Sequence, residues 1–354
     1  MDLIKTLNYY KGKRVYVTGH TGFKGSWLSY ILDLIGAQVT GYSLEPNTEP
    51  SLFESLSFSN KFNSVTGDIR NKESFKRSIQ KSNPEYIFHL AAQPLVLASY
   101  ANPKETFDIN FTGTLNLLEI LRELNLPVQV VFVTTDKVYE NLEFDMPFHE
   151  TDKLGGKDPY SASKSASELL ISSYNNSYFK DFKITNISTA RAGNVIGGGD
   201  WSKNRLIPDI IRANQQNKTL IIRNPKATRP WQHVLEPIFG YLMLGIMLKK
   251  SPGEYSTSWN FGPEQEDTES VENIIKFSKD SGIICDILHQ VSSHKEAQSL
   301  RLNTSKSKIK LNWSPKWTCK VAITNTMNWY VNYYKKNSAN QLIQNDLKKY
   351  INEQ

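Results

Sequence analysis

Between residues 13 and 133 the chain alternates short apolar runs with longer segments in which apolar residues recur every three or four positions. Residues 13–19 are a β-branched run ending in glycine. Residues 23–35 carry helical spacing at Phe23, Trp27, Leu28, Ile31, Leu34 and Ile35, then stop at Gly36. The same pattern predicts strands over 38–43, 63–66, 86–90 and 128–133, with helices over 72–80 and 103–124. Residues 45–60 are rich in Pro, Ser, Asn and Glu and are expected to be loop. Strands alternating with helices at this spacing predict an α/β fold, a Rossmann-type doubly wound parallel sheet with its functional groups at the C-terminal ends of the strands.

A helix over 160–178 and a strand over 184–188 continue the alternation, which then breaks. Residues 191–205 are glycine-rich and polar, and expected as loop. Shorter pieces follow: a helix over 208–214, a strand over 220–222, an apolar helix over 234–248 and a strand over 259–261. The predicted organisation is a dinucleotide-binding Rossmann domain over 1–190, to which 232–262 return. A smaller mixed α/β substrate domain takes 191–231 and 263–335. Residues 336–354, rich in Lys and Asn, are expected as a polar tail or peripheral helix.

Charge narrows the partners. The 354 residues carry a net charge of +7. The basic residues are scattered among acids, which fits a solvated surface first, an anionic small molecule as the functional alternative and nucleic acid third. No apolar run reaches the roughly 20 residues of a membrane span, and the first residues lack a signal-like apolar stretch, so a cytoplasmic protein is expected. Cys285 and Cys319 make neither a disulfide framework nor a metal site.

The chemistry starts at the first strand end. Gly19, Gly22 and Gly25 are spaced three and three between strand and helix, where glycine admits a tight turn and a pyrophosphate settles on the helix N-terminus. His20, Thr21, Phe23 and Lys24 fill this loop, and Lys24 is placed to reach a phosphate. The acid expected about 20 residues on, to hold a ribose, is missing; Ser43, backbone or Glu45 stand in. Asp68 and Ile69 follow the third strand, where Asp68 either holds the adenine amine or caps a helix. Leu90, Ala91, Ala92 and Gln93 close the fourth strand with mostly small side chains, and Asn110 and Thr114 are expected to brace that loop.

At the fifth strand end Thr134 and Thr135 precede Asp136 and Lys137. Tyr160 and Lys164, four apart on a helix, share one face. An ammonium beside a phenol lowers the phenol's pKa, which makes Tyr160 a proton acceptor for an alcohol losing hydride. Asp136 and Lys137 add a candidate acid and base, in either order. Lys137 acting as a base requires its pKa to fall by about three units, roughly 4 kcal/mol; alternatively it stays charged, stabilises an enolate, and Asp136 relays protons.

Together, the Gly19-x-x-Gly22-x-x-Gly25 loop, Asp68, Leu90-Ala91-Ala92, Asn110, the Thr-Thr-Asp strand end and Tyr160-x-x-x-Lys164 resemble the extended short-chain dehydrogenase/reductase family. Within it, Thr135-Asp136-Lys137, the Arg191–Trp201 segment and Arg229-Pro230-Trp231-Gln232-His233-Val234 resemble the CDP-sugar branch of the sugar-nucleotide 4,6-dehydratases; most other branches carry Glu at the position of Lys137. The resemblance implies tightly held NAD, a CDP-glucose substrate, a product destined for bacterial dideoxysugars and O-antigen, and a homodimer or homotetramer paired through helices 103–124 and 160–178. It implies cofactor contacts from the loop residues above, Thr134, Tyr160 and Lys164. Substrate contacts are implied at Gln93, Arg191, Asn194, Arg205, Arg223, Arg229 and Arg301, since arginine forks suit a diphosphate. Leu97-Ala98 depart from the basic residues expected there. A sugar-nucleotide epimerase, or a non-catalytic dinucleotide sensor of the same fold, is the competing expectation.

Overall fold

The computed structural model describes residues 2–142, 146–181, 184–222, 224–289 and 300–353. Seven parallel strands form the central sheet: β1 Arg14–Thr18, β2 Gln38–Ser43, β3 Asn63–Thr66, β4 Tyr86–His89, β5 Gln129–Val133, β6 Asn186–Ala192 and β7 Ser258–Phe261. Their spatial order is β7-β6-β5-β4-β1-β2-β3. The chain winds outward from β1 to β3, then crosses back and winds outward again from β4, so the strand order reverses between β1 and β4. That crevice is where such sheets bind ligands.

Every residue of β4, β5 and β6 is buried; β4 and β5 are accordingly near-continuous apolar runs without alternation, while β6 buries Asn186, Ser188, Thr189 and Arg191 with hydrogen-bond partners. One face of the sheet packs on helices Lys72–Ser82, Gly113–Leu124 and Pro159–Tyr174 through Phe75, Leu117, Leu121 and Ile171. The other carries helix Phe23–Leu34 and helix Leu235–Lys250, the latter buried on nearly every side. β7 joins the sheet edge, pairing Ser258 with Thr189 and Phe261 with Ala192. No helix among the described residues is long and apolar enough to cross a membrane.

Five differences from the sequence pattern stand out. β6 runs on to Ala192, past the expected end at 188, because the hydrogen-bonding edges offered by β5 and β7 keep it extended. The expected 103–124 helix contains a π-helical turn, Asp108–Thr112. Residues 45–60 include a short helix, Leu52–Ser55, capped by Ser51. The segment expected as a polar tail or peripheral helix is a helix, Ala339–Asn352, but not a peripheral one: Leu342, Ile343, Leu347 and Tyr350 are buried in the main core, an apolar stripe hidden among Lys, Asn and Gln. An N-terminal helix, Leu3–Tyr10, also packs on the core and was not anticipated.

Candidate active site

The glycine loop rises from β1 and meets the end of β4. Gly19 has φ +72, and a Cβ there would lie 2.8 Å from the Ala91 nitrogen; one at Gly25 would lie 2.0 Å from the Gly19 carbonyl oxygen. Side chains at either position would force loop, helix and neighbouring strand apart. Gly22 ends the loop as the N-cap of helix Phe23–Leu34, with no side chain capping its first turn and no acid in it. Its amide donors and positive dipole end are thus open to an anion. The Thr18 hydroxyl accepts from the Leu90 and Ala91 amides, each at 3.1 Å, and locks the two strand ends together. This cradle fits a dinucleotide.

The other loop side chains divide. Thr21 Oγ1 lies 2.8 Å from Ser43 Oγ, so the serine that replaces the expected acid is tied to the cradle, while Glu45 accepts from Thr66 at 2.7 Å. The His20 ring turns away from the cradle. It packs edge-on to Phe53 over Gly41, pairs with Ser64 at 2.8 Å, and burial lowers its pKa to about 4. Asp68 does not cap the following helix; Asn71 does. Asp68 instead takes a forked grip from Arg70 at 2.6 to 3.1 Å, which holds its carboxyl below the usual range. Ile69 packs against Gly113. Phe23 packs beside Gly197.

The loop after β4 is braced from the π-turn. Asn110 accepts from the Gln93 amide at 2.8 Å and donates to the Gln93 carbonyl at 3.1 Å and to Ser163 at 2.9 Å. The π-turn disturbs the helical ladder, and the Asn110 carbonyl accepts from Thr114 at 2.7 Å and Ser167 at 3.0 Å. Gln93's own side-chain amide donates to Thr106 on helix Pro103–Phe107 at 2.9 Å and accepts from the Leu95 amide at 2.6 Å.

The strand end of β5 brings the candidate chemistry together. Thr135 and Asp136 are 5% and 1% exposed. Asp136 Oδ1 accepts from Thr135 Oγ1 at 2.8 Å and from Lys137 Nζ at 3.3 Å. Its Oδ2 accepts from Asn194 Nδ2 at 3.4 Å. Lys164 Nζ donates to the Val133 carbonyl at 3.1 Å, and burial lowers its pKa to about 8 against the pull of Glu168. Lys24, half-buried, is lowered to about 7, first by desolvation and then by Arg205 and Lys164. The loop amine therefore stands close to the catalytic cluster.

Two electrostatic expectations change. Burial raises the Tyr160 phenol above its ordinary value, although Lys137 and the Thr135 hydroxyl pull it down. The cation acting most strongly on the phenol is Lys137, not Lys164. Lys137 itself is raised, because Asp136 and Tyr160 outweigh its desolvation. These neighbours oppose the fall that Lys137 would need to serve as a base.

The candidate arginines separate as well. Arg191 is no fork for a diphosphate. Its guanidinium is 3% exposed and held by Glu168 at 3.0 and 2.9 Å, by the Tyr139 hydroxyl at 2.8 Å and by the Glu150 carbonyl at 3.1 Å. Strand β6 extends through it and points it into the fold. Arg205 pairs with Asp200 at 2.8 Å and acts electrostatically on both Tyr160 and Lys24. Arg229 donates to the Thr228 carbonyl at 2.8 Å and lowers the pKa of Lys137. Arg301 is half-buried and donates to the Gln265 carbonyl at 3.4 Å. Arg223 lies outside the described residues.

Three residues of this neighbourhood have no assigned role in the sequence reading, although Gly193 and Gln232 fall inside its motifs. Glu168 gathers Arg191, Thr134 at 2.5 Å and Thr189 at 2.8 Å; the spacing Tyr160, Lys164, Glu168 on one helix face was its available signal. Gly193 makes room for Asp136, since a Cβ there would lie 1.9 Å from Oδ2. Gln232 donates to the Gly193 and Phe261 carbonyls, both at 3.0 Å.

Comparison with known proteins agrees with this geometry. A family model described as GDP-mannose 4,6 dehydratase matches residues 16–326. CDP-glucose 4,6-dehydratase of Salmonella typhimurium is 45% identical over 334 residues, covering 93% of this chain and 92% of that protein. Among solved structures, an epimerase from Methanothermobacter thermautotrophicus aligns with TM-score 0.81 at 24% identity, over 94% of this chain and 96% of its own. The dTDP-glucose 4,6-dehydratase of Bacillus anthracis, solved in complex with NAD, aligns with TM-score 0.74 at 23% identity, over 91% and 97%. These last two carry the fold alone. With the family model spanning most of the length, and the Tyr160, Lys164 and Thr135 constellation assembled on a doubly wound sheet, the chain belongs to the GDP-mannose 4,6-dehydratase family of extended short-chain dehydrogenases/reductases.

Proposed function

We propose that this chain is an NAD-dependent hydro-lyase that converts CDP-D-glucose to CDP-4-dehydro-6-deoxy-D-glucose. The observation that carries the reading is the pair Asp136 and Lys137, 3.3 Å apart beside Tyr160, in a chain 45% identical to a CDP-glucose 4,6-dehydratase. An epimerase needs the proton acceptor but has no use for a second acid–base pair.

NAD, when bound in the glycine cradle, supplies the hydride acceptor for carbon 4 and the donor for carbon 6. The chain's residues handle the protons. Tyr160 takes the proton of the carbon-4 hydroxyl, with Thr135 and Lys137 stabilising the phenolate. The ketone acidifies the hydrogen on carbon 5. As that C–H bond breaks, the electron pair moves onto the ketone oxygen, where charged Lys137 stabilises it. Asp136 accepts the carbon-5 proton and delivers it to the carbon-6 hydroxyl, whose C–O bond breaks to release water; as hydride returns to carbon 6, carbon 5 takes up a proton, and the one Tyr160 removed from the carbon-4 hydroxyl closes the balance. Lys164 positions the cofactor from the Val133 carbonyl. Arg205 and Arg229, which act electrostatically on Tyr160 and Lys137, take the diphosphate.

We assign 1–190 with 232–262 to cofactor binding and 191–231 with 263–335 to the sugar nucleotide. The enzyme works in the cytoplasm as a homodimer or homotetramer, which light scattering checks. Incubation with NAD and CDP-, dTDP-, GDP- or UDP-glucose, followed by mass spectrometry, tests the activity. Loss of one water from CDP-glucose is expected. Conversion without water loss would favour an epimerase, and product from another nucleotide alone would overturn the substrate.

A further inference from the structure

The corner after β6 is built around Asp136. Gly193 leaves the space that Oδ2 occupies, and Asn194 then adopts the left-handed conformation at φ 51. That turn carries its amide back over the strand end, where Nδ2 donates to Asp136 Oδ2 at 3.4 Å. The corner is clamped from the opposite side. Gln232 donates from its side chain to the Gly193 carbonyl at 3.0 Å and from its backbone to the Asn194 carbonyl at 3.2 Å. Gln232 itself is 1% exposed and anchored on Phe261. Asp136 is thus gripped at both oxygens, through Oδ1 by Thr135 and Lys137 on its own loop and through Oδ2 by Asn194 from another strand.

We infer that Asn194 is a positioning residue for Asp136, fixing the carboxyl in one rotamer by its amide donor before substrate arrives. This rests on the dehydratase reading and gives Asn194 a role distinct from the substrate contact expected by resemblance. The separation is long for a hydrogen bond, as such contacts often are before substrate binds. An amide in this place is specific: it donates without adding charge to a cluster that already holds Lys24, Lys137, Tyr160, Arg205 and Arg229.

The left-handed backbone selects the variants. Glycine adopts φ near +50 freely, and Asp tolerates it better than most residues. Asn194→Gly removes the donor, and Asn194→Asp replaces it with a like charge facing Asp136. Both keep the turn. Turnover of CDP-glucose and transient absorbance of reduced cofactor are measured for each, with thermal melting as the folding check. N194G is expected to lower kcat about tenfold and N194D about a hundredfold. KM should stay within about twofold of wild type, and reduced cofactor should accumulate because elimination lags the first hydride transfer. A raised KM with unchanged kcat would overturn the inference and make Asn194 a substrate contact, as would equal effects of the two variants. A wild-type enzyme without dehydratase turnover would overturn both this role and the function it rests on.

Discussion

Arg191 and Glu168 grip each other through two parallel contacts of 3.0 and 2.9 Å, each side chain 3% exposed. Glu168 also takes the hydroxyls of Thr134 and Thr189, and Arg191 lies over the Tyr139 ring. Removing one partner of such a pair leaves an uncompensated buried charge, which costs about 3–5 kcal/mol. Arg191→Ala is therefore expected to lower the urea unfolding midpoint sharply. Stability unchanged with a raised KM for CDP-glucose would return Arg191 to the diphosphate.

Gly193 offers a test at the level of one methyl group. A Cβ there would lie 1.9 Å from Asp136 Oδ2 and 2.0 Å from its Cγ, so the carboxylate must move. Displacing a catalytic group by about 1 Å can cost on the order of 10²-fold. Gly193→Ala should lose about that much dehydratase activity while keeping wild-type circular dichroism and NAD affinity. Activity within a few-fold of wild type would show that Asp136 is not required where it sits.

The first half of the fold was legible because its signals are local. Strands 38–43 and 63–66 match β2 and β3 residue for residue, and the glycine loop, Tyr160 and Lys164 declare themselves by spacing. What stayed hidden depends on partners distant in sequence. Arg191 looked like a phosphate ligand because its partner Glu168 sits 23 residues earlier on another element. The electrostatics of Tyr160 and Lys137 turned on burial and mutual proximity, which spacing does not report. The last helix was expected only as a peripheral one because Leu342, Ile343, Leu347 and Tyr350 are a thin stripe in a polar stretch, and only the core they meet shows their use.

Lys137 separates the two halves of the reaction. Its pKa is raised by Asp136 and Tyr160, so it is charged at neutral pH and suited to stabilise an enolate. Lys137→Met should slow elimination by about 10²–10³-fold and slow the first hydride transfer much less. Stopped-flow absorbance then shows reduced cofactor building up after mixing with CDP-glucose. Equal loss of both steps would show that Lys137 acts chiefly through the Tyr160 phenolate and not on the enolate. Tyr160→Phe should abolish the build-up as well as the product.

The C-terminal helix carries a pH-dependent load. Asp346 Oδ2 lies 3.9 Å from His233 Nε2, and neither atom has a hydrogen-bond partner among the described residues. Burial pushes Asp346 up to about 7, against the pull of Lys349, and lowers His233 to about 3, helped by Lys349. A carboxyl whose folded pKa exceeds its unfolded value of about 3.9 binds more protons folded than unfolded, so its contribution to stability is lost as pH rises from about 4 to about 7. His233, depressed from about 6.5, acts in the opposite sense and loses stability as pH falls from about 6.5 to about 3. Asp346→Asn keeps the shape of the neutral acid and removes only the first effect. Variant and parent should unfold at similar urea concentrations at pH 4. By pH 8 the variant should be more stable by about 2–4 kcal/mol. A constant gap across this range would show that Asp346 is ionised in the fold at both ends of it, with His233 or Lys349 as its partner.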